Sequence, residues 1–295
     1  MTQWFDDVPV LGAMRDDVAA AKLLELGDAS ALAATGGQEA FGLRDRGRAF
    51  RYTAHVVGHV GDIADRGPAE IRSVTELDPD ESLKCAPLRI ALGKLGVVDY
   101  PGGGTHVVLF DFAARHYADA ADVAELHYNV VVRATEGQRA GLLNVPIFIG
   151  LNPGTEGVAL QGFTVNVQNE QDEELLALLE SGAVRAGLQL LQTAQPALAP
   201  LSQMAYSLTK ALAGHNRNVP VQSFMLGLDF TRSAYGAVLR TGAYAIVQVP
   251  SELQYAWDWA GWVYDARIGD IVSRENPAVG LPYNHVVFTV NRLSA

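Results

Sequence analysis

From Phe50 onward, apolar and polar residues alternate in short runs, the two-residue period of strands that bury one face. Residues 51–60 are rich in Tyr, Thr and Val, and 70–77 makes a shorter candidate ahead of the acidic loop Asp78-Pro79-Asp80-Glu81. Residues 87–95 are ambiguous in period. Stretches 105–112, 125–134, 145–151 and 162–168 read as strong strands, separated by Glu136-Gly137 and Asn152-Pro153-Gly154. Inside 126–133 the alternation gives way to continuous apolar residues, as in a strand that enters a core. The same texture returns at 221–231, 244–249, 262–265, 271–272 and 285–291.

Two regions break this period. Asp16 and Asp17 precede an apolar-rich run over 18–26 and Gly27 follows it, which predicts a short helix. The second region spans 173–214. Asn169 and the acidic residues Glu170, Asp172, Glu173 and Glu174 supply capping oxygens and negative charge for a helix start. That helix is expected to run to about Gln195, with Pro196 ending it. In the next helix Leu201, Met204, Ala205, Leu208 and Leu212 recur at three- and four-residue spacing and form one stripe, closed by Gly214. Between Arg185 and Lys210 there is no charged side chain at all.

Together these elements predict a mainly β protein. The expected form is one antiparallel β-sandwich of about ten strands, with an inserted α-helical hairpin at 173–214 and a short helical N-terminal leader. Strands and helices do not alternate regularly, which disfavours a doubly wound sheet. With no linker in view, 46–295 reads as a single domain and 1–45 as a leader packing on it.

Charge and composition narrow the partners. Of 295 residues, 49% are apolar and 19% charged, the balance of a folded chain. A net charge of −11 offers no field for phosphates, so nucleic acid is excluded as a general partner. Cys85 is the lone cysteine, which rules out an internal disulfide or a thiolate metal cage. Residues 1–10 carry Asp6 and Asp7 and lack the pattern of a secretory signal, so a cytoplasmic location is expected.

Candidate chemistry is sparse. His55 and His59 share a strand face but stand about 13 Å apart, too far for one zinc ion. His106, His116 and His127 would have to converge across neighbouring strands. Asp111, Asp229, Asp258, Asp265 and Asp270 fall near strand ends, where a calcium rim would need them, but without a regular Asp-x-Asp-x-Asp-Gly loop. No Gly-x-Ser-x-Gly elbow occurs, Gly102-Gly103-Gly104 lacks the Lys-Ser/Thr of a phosphate loop, and Cys85 sits beside acidic residues. Trp257, Trp259 and Trp262 are clustered; on a strand they would form an exposed platform or else fill the space between sheets.

The function expected from these features is a non-enzymatic interaction or effector module with no cofactor. Its contacts would be Leu201, Leu208 and Leu212 of the hairpin and Trp257, Trp259 and Trp262. Its target would be a protein partner or a second copy. After a trigger the hairpin would become membrane-active: Gly182, Ala186 and Gly187 suit close helix packing, while Glu180 and Arg185 oppose deep insertion. Two other classes compete. One is a calcium-dependent, membrane-binding sandwich of C2 type, on architecture alone; the other is a metal-dependent hydrolase using His and Asp from several strands.

Overall fold

The structure is a computed structural model that describes residues 4–28, 48–61, 67–119, 122–135, 144–179, 188–189, 195–233 and 236–293. Helix α1 (Asp16–Glu25) comes first, with Asp16 and Asp17 in its first turn. Strands β1 (Ala54–Val60), β2 (Pro68–Glu70), β3 (Arg72–Ser73) and β4 (Leu88–Gly96) follow. Next are the long strands β5 (Thr105–Asp119), β6 (Asp122–Thr135), β7 (Val145–Leu151) and β8 (Gly157–Val167). Helix α2 (Glu170–Leu179), the short β9 (Leu188–Gln189) and helix α3 (Gln195–Gly214) make up the insert. The chain closes with β10 (Val219–Asp229), β11 (Ala237–Val238), β12 (Gly242–Val249), β13 (Trp262–Asp265), β14 (Asp270–Ser273) and β15 (His285–Arg292).

The protein is mainly β, as the alternation predicts. Three sheets, not one pair, carry the described strands: a seven-stranded sheet ordered β3-β1-β12-β15-β4-β7-β9, a five-stranded sheet β11-β10-β8-β5-β6, and a three-stranded sheet β14-β13-β2. Pairing is antiparallel except where β11 joins β10 and β9 joins β7. The strand number exceeds the expected ten because several pieces, such as β3, β9 and β11, are too short to show a period.

Burial explains the layering. Each large sheet has two covered faces. Between the large sheets lie Leu88, Ile90, Phe112, Phe148, Leu160, Leu226 and Phe288, with the Phe112 and Phe288 rings 5.4 Å apart. The other face of the seven-stranded sheet is covered by the three-stranded sheet, through Val56, Ile71, Val247, Trp259 and Val287. On the other face of the five-stranded sheet, α2, α3 and the N-terminal Phe5 close over Val107, Leu109, Phe163 and Val165. Leu11, Leu23 and Phe50 of the N-terminal region join the same core cluster.

The insert departs from the expected hairpin. Asn169 Oδ1 accepts from the Gln171 N–H at 3.1 Å and caps α2, but that helix ends at Leu179 instead of running to Gln195. At Leu188 and Gln189 the chain is extended and pairs with Phe148 and Ile149, where the open edge of β7 has backbone groups to satisfy. Residues 180–187 and 190–194, including Glu180, Gly182, Arg185, Ala186 and Gly187, lie outside the described residues. Pro196 opens α3 rather than ending its predecessor, because its missing N–H costs nothing in a first turn.

Candidate interaction site

In the five-stranded sheet β6 stands last, and among the described residues no strand pairs with its outer side. Helix α3 covers that edge and pins itself with polar groups. Ser202 Oγ accepts from the His127 backbone N–H at 2.8 Å and donates to the Glu125 carbonyl at 3.2 Å. One hydroxyl thus serves in place of a neighbouring strand. Asn129 Nδ2 donates to the Ala205 carbonyl at 3.1 Å, and Thr209 Oγ1 donates to Asp111 Oδ2 at 2.9 Å.

Asp111 holds the centre of this network. It is fully buried on β5, and its other oxygen accepts from His127 Nδ1 at 2.9 Å. Phe5 and Tyr206 enclose the His127 ring, with centroids 5.7 and 5.1 Å away, and its Nε2 is buried without a partner among the described residues. Through Thr209, the pair clamps α3 to the sheet. The far end of α3 is held differently. Leu212 is in the core, and Asp172 of α2 accepts from His215 Nδ1 at 3.0 Å and from Asn218 Nδ2 at 2.6 Å.

These polar anchors set the rotation of α3. The buried line is Ser202, Thr209, Leu212 and Ala213, while Leu201 and Met204 face outward at 50% and 52% exposure. The expected apolar stripe is therefore split. Leu212 is inside, Leu208 is half-buried against the sheet, and Leu201 is at the surface. Gln203, Ser207 and Ala211 complete an exposed face without charge.

The tryptophans meet at another place, over the three-stranded sheet. Trp259 is only 7% exposed, while Trp257 and Trp262 are half-buried and stacked at 6.4 Å. Trp257 also meets Trp259 and Tyr283 edge-on, each at 5.5 Å. The group joins the small sheet to the seven-stranded one. Trp257 and Trp259 precede β13 instead of lying on a strand, and Asp258 Oδ1 caps a tight turn by accepting from Ala260 N.

The chain matches no family model, no curated protein and no solved structure.

Of the acidic and histidine candidates, Asp111 pairs with His127, and Asp265 and Asp270 are opposite each other across β13 and β14. Asp265 is bidentate to Arg267, and Asp229 lies at the end of β10, where burial and then Glu156 raise its pKa. Asp270 accepts from Lys94 at 2.6 Å and from His285 at 3.2 Å in a buried trio. Burial pushes its carboxyl up, but His285 and Lys94 outweigh this and hold it down at about 2. His55 packs by Phe224, His59 by Tyr244 and His106 by Tyr100. The His116 side chain lies outside the described residues. Among the described residues no three His, Cys, Asp or Glu side chains gather as a metal group, and no helix is long and apolar enough to cross a membrane.

Sequence reasoning missed both buried networks, Asp111–His127–Thr209 and Lys94–Asp270–His285. A signal existed in each case. Lys94 interrupts an apolar run, and Asp111 lies between Phe110 and Phe112, where an unpaired charge would be costly.

Proposed function

We propose that this chain is a non-enzymatic interaction module in which a β-sandwich, formed by the two large sheets, presents α3 as its contact surface. The occupant is a second copy of the chain. One observation carries the reading: α3 buries hydroxyls and leaves Leu201 and Met204 in water. A contact between two copies sets like charges against each other, and a chain of net charge −11 needs an uncharged patch to avoid that repulsion. The outer face of α3 is such a patch; Lys210 beside it is neutralised by Asp7 at 2.6 Å. Ala211 and Ser207 are small enough for two helices to approach closely. In this reading the tryptophan segment braces the scaffold and offers only the rims of Trp257 and Trp262 as a further contact. A reducing, cytoplasmic setting belongs to the same proposal and is compatible with one exposed, unpaired Cys85.

The test is sedimentation equilibrium of the chain and of the Leu201→Glu/Met204→Glu variant, alongside their urea unfolding curves. A dimer that dissociates in the variant, with unfolding unchanged, is the expected result. A chain that stays monomeric up to its solubility limit refutes the choice of occupant.

A further inference from the structure

On one flank, two strand edges, one from each large sheet, are only partly paired among the described residues. β10 pairs with β8 along its length, but on its other side it pairs with β11 only at Leu228 and Asp229. β1 pairs fully with β12, but with β3 only at Gly58 and His59. Among the described residues, no strand pairs with the outer edge of 223–227 or of 54–57. Free edges of this kind are commonly blocked by lysine, proline or a covering helix. Here 221–228 carries neither charge nor proline, and Met225 is 63% exposed.

Between these edges runs a groove of about 440 Å³, within the size range of ligand-binding clefts. Thr53, Ser223 and Ser251 bring hydroxyls to it, Gln254 an amide and His55 an imidazole, and none of its lining residues is charged. His55 has an unmet requirement. One ring nitrogen is held by the Thr53 backbone, while Nε2 is buried with no partner among the described residues. Burial pushes the pKa of the ring down to about 4, so near neutrality Nε2 is a bare acceptor.

We infer that this flank is a strand-addition site for an extended, uncharged peptide segment carrying a hydroxyl or amide that donates to His55 Nε2. Main-chain hydrogen bonds to an open edge supply affinity, and alternate side chains entering the groove supply selectivity. An added strand lies about 4.8 Å from its neighbour, a spacing one extended chain can take inside a groove. A charged peptide would lose its hydration against a lining without counter-charges.

The test uses the full chain and two pools of N-acetylated, C-amidated hexapeptides read by affinity-selection mass spectrometry. One pool contains only uncharged residues; the other carries Glu or Lys at alternate positions. Enrichment of the uncharged pool by about tenfold is expected, equivalent to about 1.4 kcal/mol. Retained peptides are then remade with N-methyl groups on alternate amides. Edge pairing predicts loss of binding for one phase of methylation and retention for the other, since only every second amide faces the edge. Met225→Pro should abolish retention by removing an edge N–H. Ser251→Glu, which leaves β10 intact, should reject the same peptides and covers the case in which the proline variant fails to fold. Leu201→Glu/Met204→Glu should bind them normally, so failure here and failure of the α3 reading remain distinct. Equal retention of both pools, or binding insensitive to methylation in either phase, overturns the inference.

Discussion

Thr209→Val tests whether α3 is held by polar clamping. Valine keeps the branched shape of threonine and has a similar helix propensity, so the local helix term nearly cancels. What changes is one O–H. In the structure that hydroxyl donates 2.9 Å to Asp111 Oδ2, and both residues are fully buried. Losing a bond to a charged group costs about 1.5–3 kcal/mol, since the carboxylate oxygen cannot turn to water. The added methyl returns about 0.8 kcal/mol of apolar burial. A net loss of about 1–2 kcal/mol is expected. Urea unfolding followed by tryptophan fluorescence measures it, as a lower midpoint at unchanged slope. Ser207→Ala on the exposed side of α3 is the control and should stay within about 0.5 kcal/mol of the parent. Amide exchange adds a local reading, because protection at His127 should fall when α3 loosens. A Thr209→Val protein as stable as the parent, with His127 still protected, would refute the clamp.

Two further expectations concern the sheets. His59 is buried against Tyr244, with its Nε2 at 3.0 Å from the Thr241 carbonyl, and burial first, then Arg240 and Arg72, depress its pKa from 6.5 to about 4. The unfolded chain therefore binds a proton that the folded one refuses. Stability is fully present above about pH 6.5 and is lost as pH falls toward 4, by about 3 kcal/mol for this residue. His59→Phe should flatten stability-versus-pH curves in that window, and parallel curves would contradict the assignment. Gly58→Ala tests the junction between sheets. An added Cβ would stand 2.5 Å from Ile71 Cγ2 and 2.8 Å from the Trp259 ring, so a loss of about 1–3 kcal/mol with a changed tryptophan emission is expected. An unchanged emission would mean that Trp259 does not press on β1.

What the sequence made legible was periodicity. Val145–Leu151 and Trp262–Asp265 appear where alternation placed them, and α1 begins at the predicted aspartates. β8 begins earlier than expected, at Gly157, because Val158 and Leu160 continue a strand whose neighbours lie on both sides. Short strands such as β9 were beyond reach, since two residues have no period and their conformation comes from a remote partner. The insert was misread for a similar reason. A run without charge scores as helix or strand alike, and the open edge of β7 decided part of it. The α3 stripe failed in an instructive way. Spacing identified a face of the helix, but the rotation depends on Asp111, Asn129 and the outer edge of β6, which lie far away in the chain.

That rotation joins the fold to the proposed function. Turning α3 so that Leu201 and Met204 faced the sheet would gain about 1.5–3 kcal/mol for each side chain. The same turn would carry Ser202 and Thr209 away from their partners. The buried His127 N–H and Asp111 Oδ2 would lose these partners at about 1–3 kcal/mol each, and the half-buried Glu125 carbonyl and Asn129 amide would lose theirs at a smaller cost. Together these losses offset the two apolar gains, and the polar underside stays inside while two large apolar side chains remain in water. The exposed patch is thus a consequence of how β6 is capped. It also makes Leu201 and Met204 dispensable for folding, which lets their replacement by glutamate report on association alone.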